Sequence, residues 1–292
     1  MRIGLIDVDG HNFPNLALMK ISAYYKQLGH NVEWWSGFFE YDLVYKSKVF
    51  TFTPDIETVI RADEIIGGGT GYNIKAVLSP EIEHTFPDYG LYNITDTAYG
   101  YLSRGCPRNC KFCIVGQKEG LCSKKVANLS EFWNGQKHIK LLDPNLLACK
   151  GAELLLQQLS DSKAWIDFTQ GLDVRLMDKH RAELIRRCKI KSVHFAWDDP
   201  KQDLTPQFQN VKEWLKYDTR KMGVYVLTNF NSTHKEDLYR IYTLRGLGFN
   251  PYIMIYDKES APRETRLLQR WVNNRLIFKS CKRFEDYNPK KG

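Results

Sequence analysis

From residue 99 onward, short apolar runs return at nearly constant intervals. They begin at Tyr99, Ile139, Trp165, Val193, Val224 and Tyr252, and the last five are spaced by 26, 28, 31 and 28 residues. Each interval has room for one strand, one helix and two turns, which is the length of a parallel crossover unit. Amphipathic segments fill the intervals, at Glu153 to Leu159, His180 to Arg187, Phe208 to Tyr217 and Leu238 to Arg245. Phe208, Val211 and Leu215 fall at the i, i+3, i+7 spacing of a helix packed on a sheet. A chain patterned this way is restricted to the α/β class with a parallel sheet. Six strands joined by helices predict a partial (β/α)6 barrel over residues 97–260, two units short of a closed eight-stranded barrel.

A separate alternation precedes it. Ile3 to Val8 reads as a strand, Asn15 to Leu28 as a helix ended by Gly29, and Val32 to Trp35 and Leu43 to Phe52 as two further strands. A helix from Pro54 to about Ala62 then leads into Glu64-Ile65-Ile66 and the run Gly67-Gly68-Gly69-Thr70-Gly71. Residues 1–75 are therefore expected to form a small Rossmann-like α/β domain. Residues 76–96, with Pro80, Pro87 and Gly90, read as a connector, and residues 261–292 as a basic C-terminal helix and tail.

Composition adds limits. With 43% hydrophobic and 26% charged residues, the chain can bury a core and is not expected to be disordered. No apolar run reaches the roughly 20 residues that span a bilayer, and Asp7 and Asp9 interrupt the N-terminus early. The expected setting is cytoplasmic, with no membrane. The formal charge of +8 is concentrated at one end: residues 263–292 hold nine Lys or Arg against three Asp or Glu. This tail is where nucleic acid would bind, through Trp271, Phe278, Phe284 and Tyr287 among the charges. The stripe of Leu267, Leu268 and Trp271 favours instead a docked helix with a solvated basic face.

The seven cysteines carry the sharpest chemical signal, because three lie within eight residues as Cys106-x3-Cys110-x2-Cys113. The loop follows directly after the first strand of the second alternation, and such bunching points to metal or redox chemistry in a reducing compartment. Three thiolates on one short loop wrap a face of an iron–sulfur cube and leave one iron open to a further ligand. Structural zinc is the alternative; it takes four ligands and would recruit Cys122 or His138. Cys122, Cys149, Cys188 and Cys281 are too scattered for a second cluster, and Cys188 reads as a small core residue.

The cysteine spacing, with Phe112 just before the last cysteine, resembles the signature of the radical S-adenosylmethionine (radical SAM) superfamily. The resemblance covers the motif and the α/β pattern of residues 97–260. It implies a [4Fe-4S] cluster on Cys106, Cys110 and Cys113, with S-adenosylmethionine bound at the open iron. It further implies reductive cleavage to methionine and a 5′-deoxyadenosyl radical, which abstracts hydrogen from an unknown substrate, and a flavodoxin or ferredoxin as electron donor. Where the family often carries Gly-Gly-Glu for the cofactor's amino group, this chain has Asp143-Pro144-Asn145, which serves equally well as a helix N-cap. Arg175 is expected to clamp the cofactor carboxylate, with Gln170 and Asp173 reaching ribose hydroxyls; a surface pair of Asp173 with Arg175 is the competing view. Phe112 completes the cofactor-binding set, and no catalytic residue is singled out. His194, Asp198, Asp199, Thr228, Asn229, Asn231, Tyr256 and Asp257 sit at strand ends, and His194 reads as a packed residue.

Residues 1–75 are similar to the cobalamin-binding domain of one radical subfamily. Asp9-x-His11 stands where such a domain carries an axial histidine, but Pro14 replaces the motif's glycine. The preferred reading is a degenerate domain that has lost the corrinoid. Three alternatives remain open at this stage: a zinc-stabilised nucleic-acid-binding protein, a radical enzyme that modifies tRNA, and a cobalamin-dependent methyl-transferring enzyme.

Overall fold

The computed structural model describes residues 1–10 and 13–290. The protein is α/β with parallel sheets. By packing it divides into two units, Met1–Gly100 with Ala127–Lys137, and Tyr101–Val126 with His138–Gly292. The first unit is thus larger than the segment 1–75, since it also takes in 76–100 and 127–137.

In the first unit, β1 (Arg2–Asp7), β2 (Asn31–Trp34), β3 (Tyr41–Ser47) and β4 (Ala62–Gly68) form a parallel sheet in the order β2-β1-β3-β4. Helix α1 (Leu16–Gln27) lays Leu18 and Ile21 on Ile3, Leu5, Val32 and Leu43. Its start is fixed by Asn15, whose side chain accepts from the Leu18 N–H at 3.2 Å and donates to Ser47 Oγ at 2.7 Å. Ile82, on the short helix α2 (Pro80–Glu83), joins this core, and β5 (Thr97–Gly100) ends the unit's first stretch.

Two expectations fail here for local reasons. The third strand stops at Ser47 and does not reach Phe52. Buried Asp9 draws the chain out of the ladder by accepting from the Val49 and Phe50 N–H groups and, at 2.7 Å, from Thr53 Oγ1. Residues 54–62 form no helix. Ile56, Thr58, Val59 and Ile60 are all β-branched, a poor helical run, and Asp55 is held by Lys46 at 2.9 Å and Tyr72 at 2.8 Å. Ile56 and Ile60 instead close the second apolar cluster over Ile6, Tyr41 and Val44.

In the second unit, a hairpin of β6 (Ser103–Arg104) and β7 (Lys124–Lys125) encloses α3 (Val115–Glu119). Five parallel strands follow: β8 (His138–Leu141), β9 (Trp165–Leu172), β10 (Lys189–Ala196), β11 (Met222–Thr228) and β12 (Asn250–Ile255). They stand side by side in chain order. Between them run α4 (Ala152–Ser162), α5 (Lys179–Arg187), α6 (Thr205–Leu215) and α7 (His234–Gly246), each packed on the next. The apolar runs and amphipathic segments of the sequence all fall on these strands and helices, and the first run overlaps β5. Each strand turns alternate residues inward: Ile139, Ile166, Phe168, Val193, Phe195, Val224 and Val226 are buried, whereas Lys140, Asp167, His194 and Tyr225 on the other face are half-buried.

The tail completes this unit. Helix α8 (Arg263–Asn273) buries Leu268, Trp271 and Val272 against β12, and α9 (Arg275–Ser280) buries Phe278. The docked-helix expectation is met. Arg245 of α7 donates to the Phe278 and Lys282 carbonyls and fixes the segment in place. No helix among the described residues is long and apolar enough to cross a membrane.

Candidate functional site

The cysteine loop springs from the β6–β7 hairpin, and its base is built around Gly105. This glycine has φ of +89°, and a Cβ there would lie 2.2 Å from the Cys122 carbonyl oxygen. No L side chain fits. The Gly105 N–H donates to Glu119 at 3.1 Å and the Cys106 N–H to the Gly120 carbonyl at 3.1 Å, so both loop ends are tied together. Within the loop the Cys113 N–H donates to the Cys110 carbonyl at 2.9 Å, a turn that brings these two cysteines to one side.

The sulfurs sense each other. Burial pushes the Cys110 thiol up, with further contributions from Asp198, Cys113 and Cys106 that Arg175 partly offsets. Cys113 is raised by burial and then by Cys106 and Asp198. As the side chains stand, no group of three His, Cys, Asp or Glu among the described residues is arranged to hold a metal ion. Cys149 and Cys188 are buried, and Cys188 packs as a core residue at the end of α5.

Asp143 is not the N-cap of the turn that follows β8, a place held by Asn145. Buried at the end of β8, Asp143 accepts from the Leu102 N–H at 3.1 Å, the Ser103 N–H at 2.5 Å and Ser103 Oγ at 2.7 Å. It holds the backbone that enters the cysteine loop. Asn145, 4% exposed, donates through Nδ2 to Cys106 Sγ at 3.4 Å, and its Oδ1 is buried without a hydrogen-bond partner.

Asp173 is the hub of the positive groups. It receives Arg108 Nε at 2.5 Å and Arg175 Nε at 2.7 Å, and Arg175 also donates to Gln202 Oε1 at 2.9 Å. Burial raises the Asp173 carboxyl, but the hydrogen bonds and charges of Arg175 and Arg108 outweigh it and hold the group below the ordinary range. The pairing of Asp173 with Arg175 is therefore real, and Arg108 doubles it. Gln170 is exposed at the end of β9.

Phe112 meets Phe230 edge to face at 5.6 Å, and Phe230 meets Tyr256 at 4.8 Å. His194 lies flat on Tyr225 at 5.2 Å with Nδ1 3.1 Å from the Phe168 carbonyl, a packed residue as expected. Asp198 is largely buried at the end of β10, its carboxyl pushed up to about 6 by burial against the pull of Arg240 and Arg175.

The sequence reading missed Arg108, Gln202 and Arg240. Arg108 could have been found from its place inside the cysteine motif. Arg240, 1% exposed, donates to the carbonyls of Trp197, Asp198 and Leu227 and to Asp237, pinning the ends of β10 and β11. Nothing in the pattern of α7 marks it as buried. Comparison with protein-family models and with curated proteins finds no match to this chain.

Proposed function

We propose that this chain is a radical SAM enzyme whose second unit is a partial barrel, with a [4Fe-4S] cluster held by Cys106, Cys110 and Cys113. The observation that carries the reading is the donor set: three thiols on one glycine-anchored loop, with Asn145 donating to the Cys106 sulfur. Burial first, and then neighbouring charges, favour the neutral thiols of Cys110 and Cys113, a bias that a bound multivalent cation would reverse. A side-chain N–H on sulfur is a typical support for a metal-bound thiolate. The chain-order strands with helices packed in succession support a barrel wall.

When bound, the cluster supplies the electron that cleaves the sulfonium of S-adenosylmethionine, and a flavodoxin or ferredoxin would deliver it. The protein's own groups then bind and orient. The orphaned Asn145 Oδ1 suits the cofactor's amino group. Arg108 and Arg175, bridged by Asp173, offer guanidinium N–H groups to its carboxylate. With Asp173 so engaged, Gln170 is the group left for a ribose hydroxyl, and Phe112 offers a ring to the adenine. Asp143 acts on the loop and not on the cofactor.

We read the first unit as a Rossmann-like domain without corrinoid. Asp9 is spent on Val49, Phe50 and Thr53. Gly69 and Gly71 pack where a Cβ would lie 2.3 Å from the Lys48 carbonyl oxygen and 2.6 Å from Lys48 Cγ, respectively, so these two glycines serve chain packing. His11 lies outside the described residues.

The test is anaerobic reconstitution with iron and sulfide, followed by dithionite and S-adenosylmethionine. The expected outcome is a cluster absorbance and release of 5′-deoxyadenosine, both lost when Cys106, Cys110 and Cys113 are replaced by Ala. Bound zinc without iron, or a cluster that releases no 5′-deoxyadenosine, would overturn the proposal.

A further inference from the structure

On β12, Tyr252 and Met254 lie on the face opposite buried Ile253, and Tyr256 follows one residue past the strand. Alternate positions put the three on one side of the sheet, and they are 46%, 46% and 53% exposed. Neighbouring rings continue the stripe. Tyr225 meets Tyr252 at 6.1 Å, Phe230 meets Tyr256 at 4.8 Å, and Phe112 of the cysteine loop meets Phe230 at 5.6 Å. An aromatic track thus runs from the edge strand to the cysteine motif.

Helix α8 borders the same strand. Its apolar residues are consumed by docking, which leaves Arg263, Arg266 and Arg270 exposed at i, i+3 and i+7. The ion pairs of this region, His234 with Glu264 and Arg283 with Glu285, do not involve them. The tail's own rings are unavailable as platforms: Trp271 and Phe278 are buried, and Phe284 packs on Trp271 at 5.6 Å.

We infer that this surface binds a single-stranded polynucleotide, with bases stacked along the β12 track and phosphates on the α8 arginines. Stacking needs open base faces, which a duplex hides, and an arginine row beside it supplies the neutralising charge. A bilayer would be met by an apolar helix face, and that of α8 is already buried. The inference deepens the proposed function, on which it rests in one respect: the track would bring a base of the strand to the cysteine motif as substrate. Binding itself requires no cluster.

The test is fluorescence anisotropy of the full chain, as purified, with a labelled 12-nucleotide single strand of mixed sequence, as RNA and as DNA, across a salt series. Binding of either strand is expected, tighter than to the matching duplex, with the RNA and DNA arms identifying the preferred sugar. R263A/R266A/R270A should lower the slope of log K against log salt by about 2, since each single-strand phosphate contact contributes about 0.7, and the Arg→Lys triple should restore it. Y252A/Y256A should weaken binding about tenfold or more at every salt concentration while keeping the slope, and Y252F/Y256F should recover it. No binding at low salt, equal affinity for duplex, tighter binding to phosphatidylserine vesicles, or tyrosine variants without effect would each overturn the inference. A chain that binds the strand yet never cleaves S-adenosylmethionine keeps this inference and loses the proposed function; the reverse result does the opposite.

Discussion

Asp143 shows how one side chain can organise a site without entering it. Its two oxygens take three donors from Leu102 and Ser103, the residues that lead into the cysteine loop. In Asp143→Asn one acceptor oxygen becomes an NH2 group that faces a backbone N–H. An unsatisfied buried donor costs about 1–3 kcal/mol, and urea unfolding should show a loss of that size. The variant should also take up less iron on reconstitution, because the loop loses its anchor, while Asp143→Glu fails similarly for lack of room. In the sequence Asp143 and Asn145 looked equivalent. They differ because, in the turn that follows β8, Asp143 faces the chain of residues 102–103 and Asn145 faces Cys106. That depends on contacts between residues about forty positions apart, and no local pattern encodes it.

Among the elements, β12 has an unusual way of closing its edge. The Ile253 N–H donates to Asn273 Oδ1 at 2.8 Å, and the Ile253 carbonyl accepts from Asn273 Nδ2 at 3.1 Å and Gln269 Nε2 at 3.2 Å. Two side chains of α8 thus stand in for a further strand, which protects an edge that would otherwise recruit another chain. Asn273→Leu should lower stability by about 1–3 kcal/mol in thermal unfolding and raise light scattering as the edge is uncovered. Helix existence was largely legible: the amphipathic stripes of α4 to α8 predict their positions, since burial of one face is a local periodic property. The absent helix at 54–62 was not, because Pro54 and the acidic residues after it imitate a helix start while the β-branched run and the ties of Asp55 oppose one.

For the molecule as a whole, pH acts through carboxylates shifted in opposite directions. Burial, outweighing its hydrogen bonds, pushes Asp143 up to about 6 from an ordinary 3.8. The folded state therefore holds this proton more tightly than the unfolded one. The stabilisation is fully present below pH 3.8 and is lost as pH rises through about 6. Asp55 behaves in reverse: burial raises it, but Lys46 and Tyr72 outweigh that and lower it to about 2, so its contribution is lost as pH falls from 3.8 through about 2. Asp198, also raised to about 6 by burial, acts in the same direction as Asp143. Unfolding midpoints measured from pH 2 to pH 8 should therefore decline between about pH 4 and pH 6, and Asp143→Asn should reduce that decline to the part due to Asp198 while leaving the acid limb.

The sequence by itself determined the α/β class, the parallel strands and their connecting helices, the three-cysteine loop and the concentration of charge in the last thirty residues. These follow from periodicity, spacing and composition, which are properties of neighbouring residues. Only the tertiary structure decided that Asp173 gathers two arginines, that Arg240 is buried at the strand ends, and that Trp271 and Phe278 of the tail are core while the rings of β12 form an exposed face. Each of these depends on which distant residue occupies the adjoining space, so hydrogen bonding and burial set the role only once the chain has folded back on itself.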